Sequence, residues 1–355
     1  MKLTNLFLTA LCVMFFVSCS NDNDESNEPK GTYDNGFFIL NEGSANQGSV
    51  SFSSDDFEFF EKDAYTKSNG SDLLGKYAQN IFFYEDNAYI IAGGSNVINV
   101  VNRYTFKLVA KIDTGLKNPR YGVAKDGKAY VTNANTYAPY GKPADDPAVI
   151  TGNTDDYVAV INLNTNTYES KIELNATANR IVLENGKLYI TEPYNSTKLL
   201  VVNVATKTLE SSIEIGSSAD CLEQENGILY VLRSPYGDRS ELVKVNLSNK
   251  LVSRVSFPET LDGASFMDIE DNKIYYTVNN SVYVINSNAT AASTSPIVNA
   301  NLGYLYGFAV KNARIYIADS GDFKADSKAY IYNLAGVLQK TLEVGVGPNG
   351  FYFNN

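Results

Sequence analysis

Short runs of alternating apolar and polar residues, separated by polar turns, extend over most of the chain. One block, an apolar residue followed by Tyr and a second apolar residue, recurs at intervals of 41, 59, 41, 45 and 41 residues. The tyrosines at its centre are Tyr89, Tyr130, Tyr189, Tyr230, Tyr275 and Tyr316. A seventh, degenerate copy is centred on Phe38, 51 residues before the first. Alternation with period two predicts strands, and the recurrence predicts an array of one supersecondary unit.

Each copy of the block has the same neighbours. A strand precedes it and ends in a turn such as Asp126-Gly127 or Asn185-Gly186, whose residues tolerate the positive φ of a two-residue hairpin. A third strand follows and ends in Asn, as in residues 158–162, and a fourth strand such as 168–172 comes after a short turn. Four short strands per unit, with no helical periodicity, predict an all-β, seven-bladed β-propeller.

The two ends of the repeat region predict how the ring closes. Residues 36–40 have the pattern of a second strand, whereas residues 350–353 have the pattern of a first strand. Gly347-Pro348-Asn349 precedes the latter much as Lys117-Asn118-Pro119 precedes Arg120. We therefore expect the C-terminal strand to pair into the N-terminal blade, which removes the open sheet edge. The propeller should span residues 36–355.

The residues before the propeller have the pattern of an export signal. Lys2 precedes an apolar run over residues 6–17, which is shorter than the roughly 20 residues of a membrane span. Ser18-Cys19 then resembles the end of a bacterial lipobox. We expect residues 1–18 to be a lipoprotein signal peptide and Cys19 to be acylated. The alternative is an ordinary secretory signal with an incidental cysteine.

Residues 19–35 are expected to be an acylated cysteine followed by a disordered acidic tether. The stretch 20–29 holds four acidic residues and no apolar one, so it cannot form a core. Acidic residues just after the lipidated cysteine resemble the surface-export signal of certain Gram-negative lipoproteins. We expect an outer-membrane, lipid-anchored protein exposed at the cell surface. A solvated spacer inside the periplasm is the alternative.

Composition excludes several classes of function. The formal net charge is −11 and no long basic run occurs, which argues against a nucleic-acid partner. The chain has no His, so it has no Ser-His-Asp or Cys-His arrangement and no histidine metal site. Cys221 is the one cysteine of the mature body, and we expect a buried, inert thiol rather than a nucleophile. These observations predict a protein that is not an enzyme and needs no cofactor. The alternative is a lyase or hydrolase that uses carboxylates and tyrosines.

Acidic residues in one loop raise the question of a metal. Asp319, Asp322 and Asp326 are oxygen donors that calcium could use, but their spacing matches no defined calcium loop. We favour a solvated turn and predict no metal site.

Loop lengths predict a working face. In a propeller blade, the second-to-third connection and the connection to the next blade emerge on one side, which we call the loop face. The first-to-second and third-to-fourth turns emerge on the other, the turn face, and here they are expected to be uniformly short. The long segments of the loop face are residues 41–48, 67–79, 133–156, 192–197, 233–240, 299–306 and 319–327. Loops on a rigid scaffold commonly carry function.

The candidate binding residues come from these segments and, for Arg120 and Arg180, from the start of first strands. The aromatic members are Tyr137, Tyr140, Tyr194, Tyr236, Tyr304, Tyr306 and Phe323, and the polar ones are Gln79, Arg120, Arg180 and Arg233. Tyrosine offers flat area and a hydroxyl, which suits a large, partly apolar ligand. Arg120 and Arg180 occupy equivalent positions at the start of first strands, and Gln79 aligns with them only approximately. Packing within the loops, and salt bridges between blades, are the alternatives for these side chains.

The segment Tyr130-Val131-Thr132-Asn133 carries the signature of the YVTN repeat, and residues 36–353 resemble YncE-type propellers. With the lipobox, the acidic tether, residues 38–43 and the pair 77–79 and 119–121, the chain resembles BtuG-type surface lipoproteins. That resemblance implies capture of a corrinoid, vitamin B12, and its transfer to a TonB-dependent outer-membrane transporter. Related propellers capture ferric siderophores, which is one alternative. The other is a non-catalytic propeller that binds a protein or glycan.

Overall fold

The computed structural model describes residues 29–43, 47–134, 155–194 and 196–355. These residues form seven antiparallel sheets of four strands each, arranged as the blades of one propeller. The predicted all-β, seven-bladed fold is confirmed. Cys19, Tyr137 and Tyr140 lie outside the described residues.

The strands follow the predicted repeat closely. Those in the N-terminal half are β1 (Gly36–Asn41), β2 (Ser49–Ser54), β3 (Phe60–Glu61), β4 (Ala78–Tyr84), β5 (Asn87–Ala92), β6 (Val97–Asn102), β7 (Leu108–Ile112), β8 (Pro119–Lys125), β9 (Lys128–Asn133), β10 (Tyr157–Asn162), β11 (Thr167–Glu173), β12 (Ile181–Glu184), β13 (Lys187–Ile190), β14 (Lys198–Asn203) and β15 (Thr208–Glu214). Blade 1 contains β1–β3, blade 2 contains β4–β7, and each later blade takes the next four strands.

The remaining strands complete blades 5 to 7 and return to blade 1. They are β16 (Ala219–Glu225), β17 (Ile228–Arg233), β18 (Glu241–Asn246), β19 (Val252–Ser256), β20 (Ala264–Glu270), β21 (Lys273–Val278), β22 (Ser281–Asn286), β23 (Val298–Asn299), β24 (Leu305–Lys311), β25 (Arg314–Asp319), β26 (Ser327–Asn333), β27 (Leu338–Val344) and β28 (Pro348–Asn354). The last of these is the innermost strand of blade 1.

Local sequence accounts for the turns. Asp126 and Asn185 lie between first and second strands with φ of 51° and 49°, a left-handed conformation that Asp and Asn tolerate. The Asn that ends a third strand holds the next turn with its side chain. Asn162 Oδ1, for example, accepts hydrogen bonds from the backbone N–H groups of Asn164 and Thr165 at 3.0 and 3.2 Å.

The core lies between neighbouring blades. The six tyrosines of the repeated block, from Tyr89 to Tyr316, are all buried, as predicted for packing residues. Tyr89, for instance, stacks on Phe82 of the adjoining strand with ring centroids 4.9 Å apart. Because each blade buries both faces against its neighbours, the ring must close before any blade is fully covered.

Closure depends on the C-terminal strand, as predicted. β28 pairs antiparallel with β1, with Phe38 opposite Tyr352. The fully buried Asn354 then fixes the end of the strand. Its Nδ2 donates to the carbonyls of Tyr33 and Arg103 at 2.6 and 2.9 Å, and its Oδ1 accepts from Arg103 Nε.

The structure departs from the prediction in two segments. Residues 67–79 were expected to be loop, but helix α1 (Ala64–Asn69) reaches into this stretch. The Asp63 side chain caps the helix by accepting a hydrogen bond from Thr66 N at 3.1 Å, and Tyr65 buries its side chain in the core. The turn face was expected to have only short connections, which is wrong for blade 6, where residues 287–297 join β22 to β23. That segment is held in place by the hydroxyl of Tyr276, which donates to the Ser293 carbonyl at 2.9 Å.

The chain joins the propeller on the turn face. Tyr33 N donates to the Tyr104 carbonyl at 2.9 Å, and Asp55 N donates to the Asn35 carbonyl at 3.1 Å. Tyr104 and Asp55 both lie in third-to-fourth turns, between β6 and β7 and between β2 and β3. The part of the chain that the structure describes contains no helix long and apolar enough to cross a membrane.

Asn354→Ala should lower the free energy of unfolding by about 1–3 kcal/mol, because it leaves the buried carbonyls of Tyr33 and Arg103 without their donor. Urea unfolding followed by circular dichroism measures the change. Asn301→Ala is the matched control, because that side chain is exposed in the loop before β24. Equal stability of the two variants would show that this contact does not secure the ring.

Candidate functional site

The first strands of the blades surround a central channel of about 460 Å³. In order around the ring they are β28, β4, β8, β12, β16, β20 and β24. Near the start of six of these strands, the pairing with the second strand shifts by one residue. Such bulges change the direction in which side chains point. Residues from different blades therefore meet where the channel opens on the loop face.

Two predicted residues, Gln79 and Arg180, belong to one polar group at this opening. Arg180 Nε lies 3.1 Å from Asp220 Oδ1, and its guanidinium lies over the Tyr121 ring at 4.7 Å. The Tyr121 hydroxyl accepts a hydrogen bond from Gln79 Nε2 at 3.0 Å. These four side chains come from four consecutive blades, so the group spans more than half of the channel mouth.

Arg120, also predicted, extends this group. Its Nε donates to Asn179 Oδ1 at 3.2 Å, and Asn179 Nδ2 donates to Asp220 Oδ1 at 3.4 Å. Tyr194 lies close enough to interact electrostatically with Asp220 and Arg120. Its ring is 84% exposed and its backbone N–H donates to Glu192 Oε1 at 3.0 Å. The mouth thus offers an exposed ring beside a hydrogen-bonded polar group.

The expected equivalence of Arg120 and Arg180 is wrong by one residue. Val123 and Val182 occupy the same level, since each pairs with the tyrosine of the repeated block in its own blade. Arg120 is three residues before this level and Arg180 only two. Gln79 is three residues before Phe82, which pairs with Tyr89, so Gln79 is the true counterpart of Arg120. The sequence pattern alone does not show this one-residue offset, because it does not reveal which residues pair across the strands.

Three predicted aromatic residues form a cluster on blade 7. The ring centroids of Tyr304, Tyr306 and Phe323 lie 4.8–6.1 Å apart. The Tyr306 hydroxyl donates to Glu42 Oε2 of blade 1. Burial, together with this bond to a carboxylate, raises the pKa of Tyr306. Phe323 has a φ of 61°, which is rare for a bulky residue, so the contacts of its ring hold it in a strained conformation.

Arg233 and Tyr236 do not join the channel mouth. Arg233 Nη1 lies 2.6 Å from Glu241 Oε2 in the neighbouring strand of the same blade, and its Nε donates to the Ser217 carbonyl. Tyr236 is fully exposed in the loop that follows. Arg233 therefore forms a salt bridge, but within its own blade and not between blades as the alternative supposed.

A second cavity, of about 540 Å³, lies beside the mouth on the loop face. Its polar and aromatic lining consists of Glu42, Tyr77, Asn96, Lys117, Asn118 and Arg120. Ala134, the last described residue before the segment that carries Tyr137 and Tyr140, also lines it. We call this cavity the side pocket. Through Arg120 it adjoins the polar group at the mouth.

The backbone around the side pocket is unusually constrained. Tyr77, Asn96 and Asn118 all have a left-handed conformation, with φ of 52°, 53° and 44°. Asn96 Oδ1 accepts from Asn118 N at 2.6 Å, and the Tyr77 carbonyl accepts from Gly93 N at 3.0 Å. Residues held in sparsely populated conformations cluster at binding and active sites.

Deeper in the channel, two carboxylates lie on neighbouring first strands. Burial, together with repulsion from Asp268, raises the pKa of Glu223 to about 8. Burial raises the pKa of Asp268 to about 6, even though the N–H groups of Val310 and Ile269 both donate to this carboxylate at 2.7 Å. Tyr352 lines the same channel, and burial raises its pKa to about 12. The channel interior therefore favours neutral acids.

Other reactive groups are occupied or shielded. Cys221 is buried in β16, as predicted, and burial raises its pKa to about 12, which suppresses the thiolate. Asp319 Oδ1 accepts from the N–H groups of Gly303, Tyr304 and Gly321. Across the described residues, no three His, Cys, Asp or Glu side chains are grouped so as to hold a metal ion.

Several residues of the site were missed by sequence reasoning. They are Glu42, Tyr77, Asn96, Lys117, Asn118, Tyr121, Asn179, Asp220 and Asn349. Seven of the nine, all but Glu42 and Asn96, lie in or shortly before the start of a first strand. That position, immediately before or at the bulge, is the signal that could have identified them.

The fold and this site define a seven-bladed β-propeller with a polar and aromatic surface around the channel mouth on its loop face. The chain belongs to the family described as "Domain of unknown function (DUF5074)", which matches residues 35–261. That match extends from blade 1 to the end of blade 5. No curated protein matches the chain.

Solved structures share the fold at low identity. A quinonprotein alcohol dehydrogenase-like protein of Bacteroides thetaiotaomicron is 17% identical with a TM-score of 0.68, over 91% of this chain and 79% of that one. Kuenenia stuttgartiensis hydrazine synthase is 13% identical with a TM-score of 0.60, over 77% and 88%. The dihydro-heme d1 dehydrogenase NirN is 11% identical with a TM-score of 0.57, over 93% and 77%. At such identities the likeness concerns the propeller alone.

The channel carboxylates predict a pH dependence of stability. Between about pH 5 and pH 8 the folded protein keeps a proton on Glu223 that the unfolded chain has lost, so stability falls as the pH rises through this window. Glu223→Gln removes this loss and should be more stable than the parent at pH 8, with little difference at pH 5. Urea unfolding at both pH values measures it.

Glu343→Gln is the control for this prediction, because Glu343 is exposed on β27. It should keep the pH dependence of the parent protein. Parallel stability profiles for the parent and Glu223→Gln would contradict the assignment.

Proposed function

We propose that this protein captures a corrinoid at the loop face and passes it to a TonB-dependent transporter of the outer membrane. The observation that carries the proposal is the convergence of amide, guanidinium and carboxylate groups with exposed tyrosine rings around the channel mouth and the side pocket. A corrinoid presents a broad, flat ring system edged with amide groups. Such a ligand needs apolar contact area and many hydrogen-bonding partners at once.

The aromatic part of the surface supplies the contact area. Tyr77 is 43% exposed at the side pocket, Tyr194 stands at the mouth, and Tyr304 presents half of its ring beside the blade 7 cluster. Tyrosine loses little conformational entropy on binding, because it has only two side-chain torsions. The rings lie around the opening, which suits a ligand that covers the mouth rather than one that enters the channel.

The polar part of the surface is held in place before any ligand arrives. Gln79 is bonded to Tyr121, Arg120 to Asn179, and Arg180 to Asp220. Groups that are already fixed do not pay an ordering cost on binding. This preorganisation supports tight binding rather than turnover.

A ferric siderophore is the second candidate. It is favoured by Lys117 and Arg120, two cations in the side pocket that form no ion pair with any described residue. Glu42 in the same pocket is unfavourable for a ligand of high negative charge. Binding of a protein or glycan without any small molecule is the remaining alternative to be tested.

Calorimetry against cyanocobalamin tests the ligand class. We expect saturable binding to the wild-type protein and an affinity at least about tenfold lower for Tyr77→Ala, since losing a central aromatic contact typically costs more than about 1 kcal/mol. Tyr236→Ala is the matched control, because it removes a tyrosine from the same face away from the pocket. Heat with a ferric siderophore but none with cyanocobalamin would favour the second candidate, and no heat with either would refute small-molecule capture.

Membrane attachment is tested separately. Cys19→Ala should abolish incorporation of a palmitate analogue and release the protein from the membrane fraction, whereas Cys12→Ala should change neither. Protease treatment of intact cells then distinguishes surface exposure from a periplasmic location. Unchanged membrane association of Cys19→Ala would refute lipid anchoring through that residue.

A further inference from the structure

The arginines that sequence analysis placed on the loop face differ in their pairing. Three are neutralised by carboxylates: Arg180 by Asp220 at 3.1 Å, Arg233 by Glu241 at 2.6 Å, and Arg239 by Glu259 and Asp262 at 3.2 Å. Arg120 has no such partner among the described residues. Its Nε is bonded to the neutral amide of Asn179, and its two terminal nitrogens make no hydrogen bond within that part of the chain.

Arg120 lines the side pocket together with a second unpaired cation, Lys117. Neither forms an ion pair with a described residue, and the same holds for Lys76, which is next to Tyr77 in sequence. Among the described residues of the lining, Glu42 is the one acidic side chain, and its Oε2 accepts the Tyr306 hydroxyl. This part of the lining thus has two cations against one anion, in a chain whose formal net charge is −11.

The two cations are attached to fixed backbone. Lys117 N donates to Asn133 Oδ1 at 2.8 Å, and the next residue, Asn118, is held to Asn96 Oδ1 at 2.6 Å. Arg120 is the second residue of β8, and the hydrogen bond from its Nε to Asn179 Oδ1 orients its side chain. The positive charge therefore has a defined place rather than being spread over mobile surface lysines.

We infer that the side pocket is an oxyanion subsite that receives a phosphate or carboxylate group of the captured ligand. A guanidinium whose Nε is already bonded can still present its terminal nitrogens to two oxygens of such a group. Lys117 adds a point charge, and Glu42 limits the subsite to a group of low charge. The inference rests on the proposed ligand capture, but it makes a separate claim about the chemistry of one pocket.

The first experiment uses simple anions and needs no knowledge of the ligand. In the ¹⁵N-labelled protein, the arginine Nε–H signals are followed by NMR during titration with inorganic phosphate, and separately with acetate. We expect a saturable shift of the Arg120 signal and none of the Arg239 signal, with a weaker response in Lys117→Gln. The stronger of the two anions identifies phosphate or carboxylate as the preferred group. Equal, unsaturable shifts of both arginines would overturn the subsite.

The second experiment uses cyanocobalamin, which carries one phosphate, and cobinamide, a corrinoid without the phosphodiester-linked nucleotide. If phosphate occupies the pocket, Arg120→Gln should weaken cyanocobalamin binding about tenfold, because it removes the charge-assisted hydrogen bonds to the phosphate, and should leave cobinamide binding nearly unchanged. Arg120→Lys, which keeps the charge, should lie in between. Arg239→Gln is the control and should bind both ligands as the parent does.

The two proposals fail in different ways. If neither corrinoid binds but phosphate or acetate still saturates the Arg120 signal, corrinoid capture is refuted and the oxyanion subsite stands. If cyanocobalamin binds equally to the parent and Arg120→Gln, and neither anion shifts the Arg120 signal, the subsite is refuted and corrinoid capture stands.

Discussion

Pairing of the last strand with the first is the interaction on which the rest of this structure depends. Each blade hides its two faces against its neighbours, so a ring with one gap exposes two apolar faces and a row of unpaired backbone groups. β28 fills that gap, and Asn354 fastens it to carbonyls from the turn face. Cys221 is the one cysteine among the described residues and is free, so that part of the chain has no disulfide and depends on this noncovalent closure.

Closure also fixes the site. Glu42 follows β1 of blade 1 and bonds to Tyr306 of blade 7, and Tyr352 of β28 lines the channel opposite strands from distant parts of the sequence. The polar group at the mouth links residues from blades 2, 3, 4 and 5. A propeller therefore brings together side chains that are hundreds of residues apart without requiring any loop to adopt a special path. The bulges near the strand starts then determine which side chains face the opening.

The fold was predictable because the repeat appears as a pattern of apolar and polar residues that are close together in the sequence. The turn residues Asp126 and Asn185, the closing strand and the buried tyrosines all follow from neighbours along the chain. The helix at Ala64–Asn69 and the long connection 287–297 were not predicted, because each departs from the repeat in a single blade. The site was predictable only in part. Gln79, Arg120, Arg180 and Tyr194 do meet at the mouth, but the pairing of Arg233 with Glu241 depends on contact across strands, which spacing does not reveal.

The position at which the chain joins the propeller has a mechanical consequence. Tyr33 and Asn35 are bonded to turns on the side away from the mouth and the side pocket. Any pull transmitted through the residues before Pro29 therefore acts on the turn face, and it acts next to the Asn354 contact that secures the ring. If the protein is held to a membrane through the residues before Pro29, as proposed, the tether and the channel mouth lie on opposite faces of the ring.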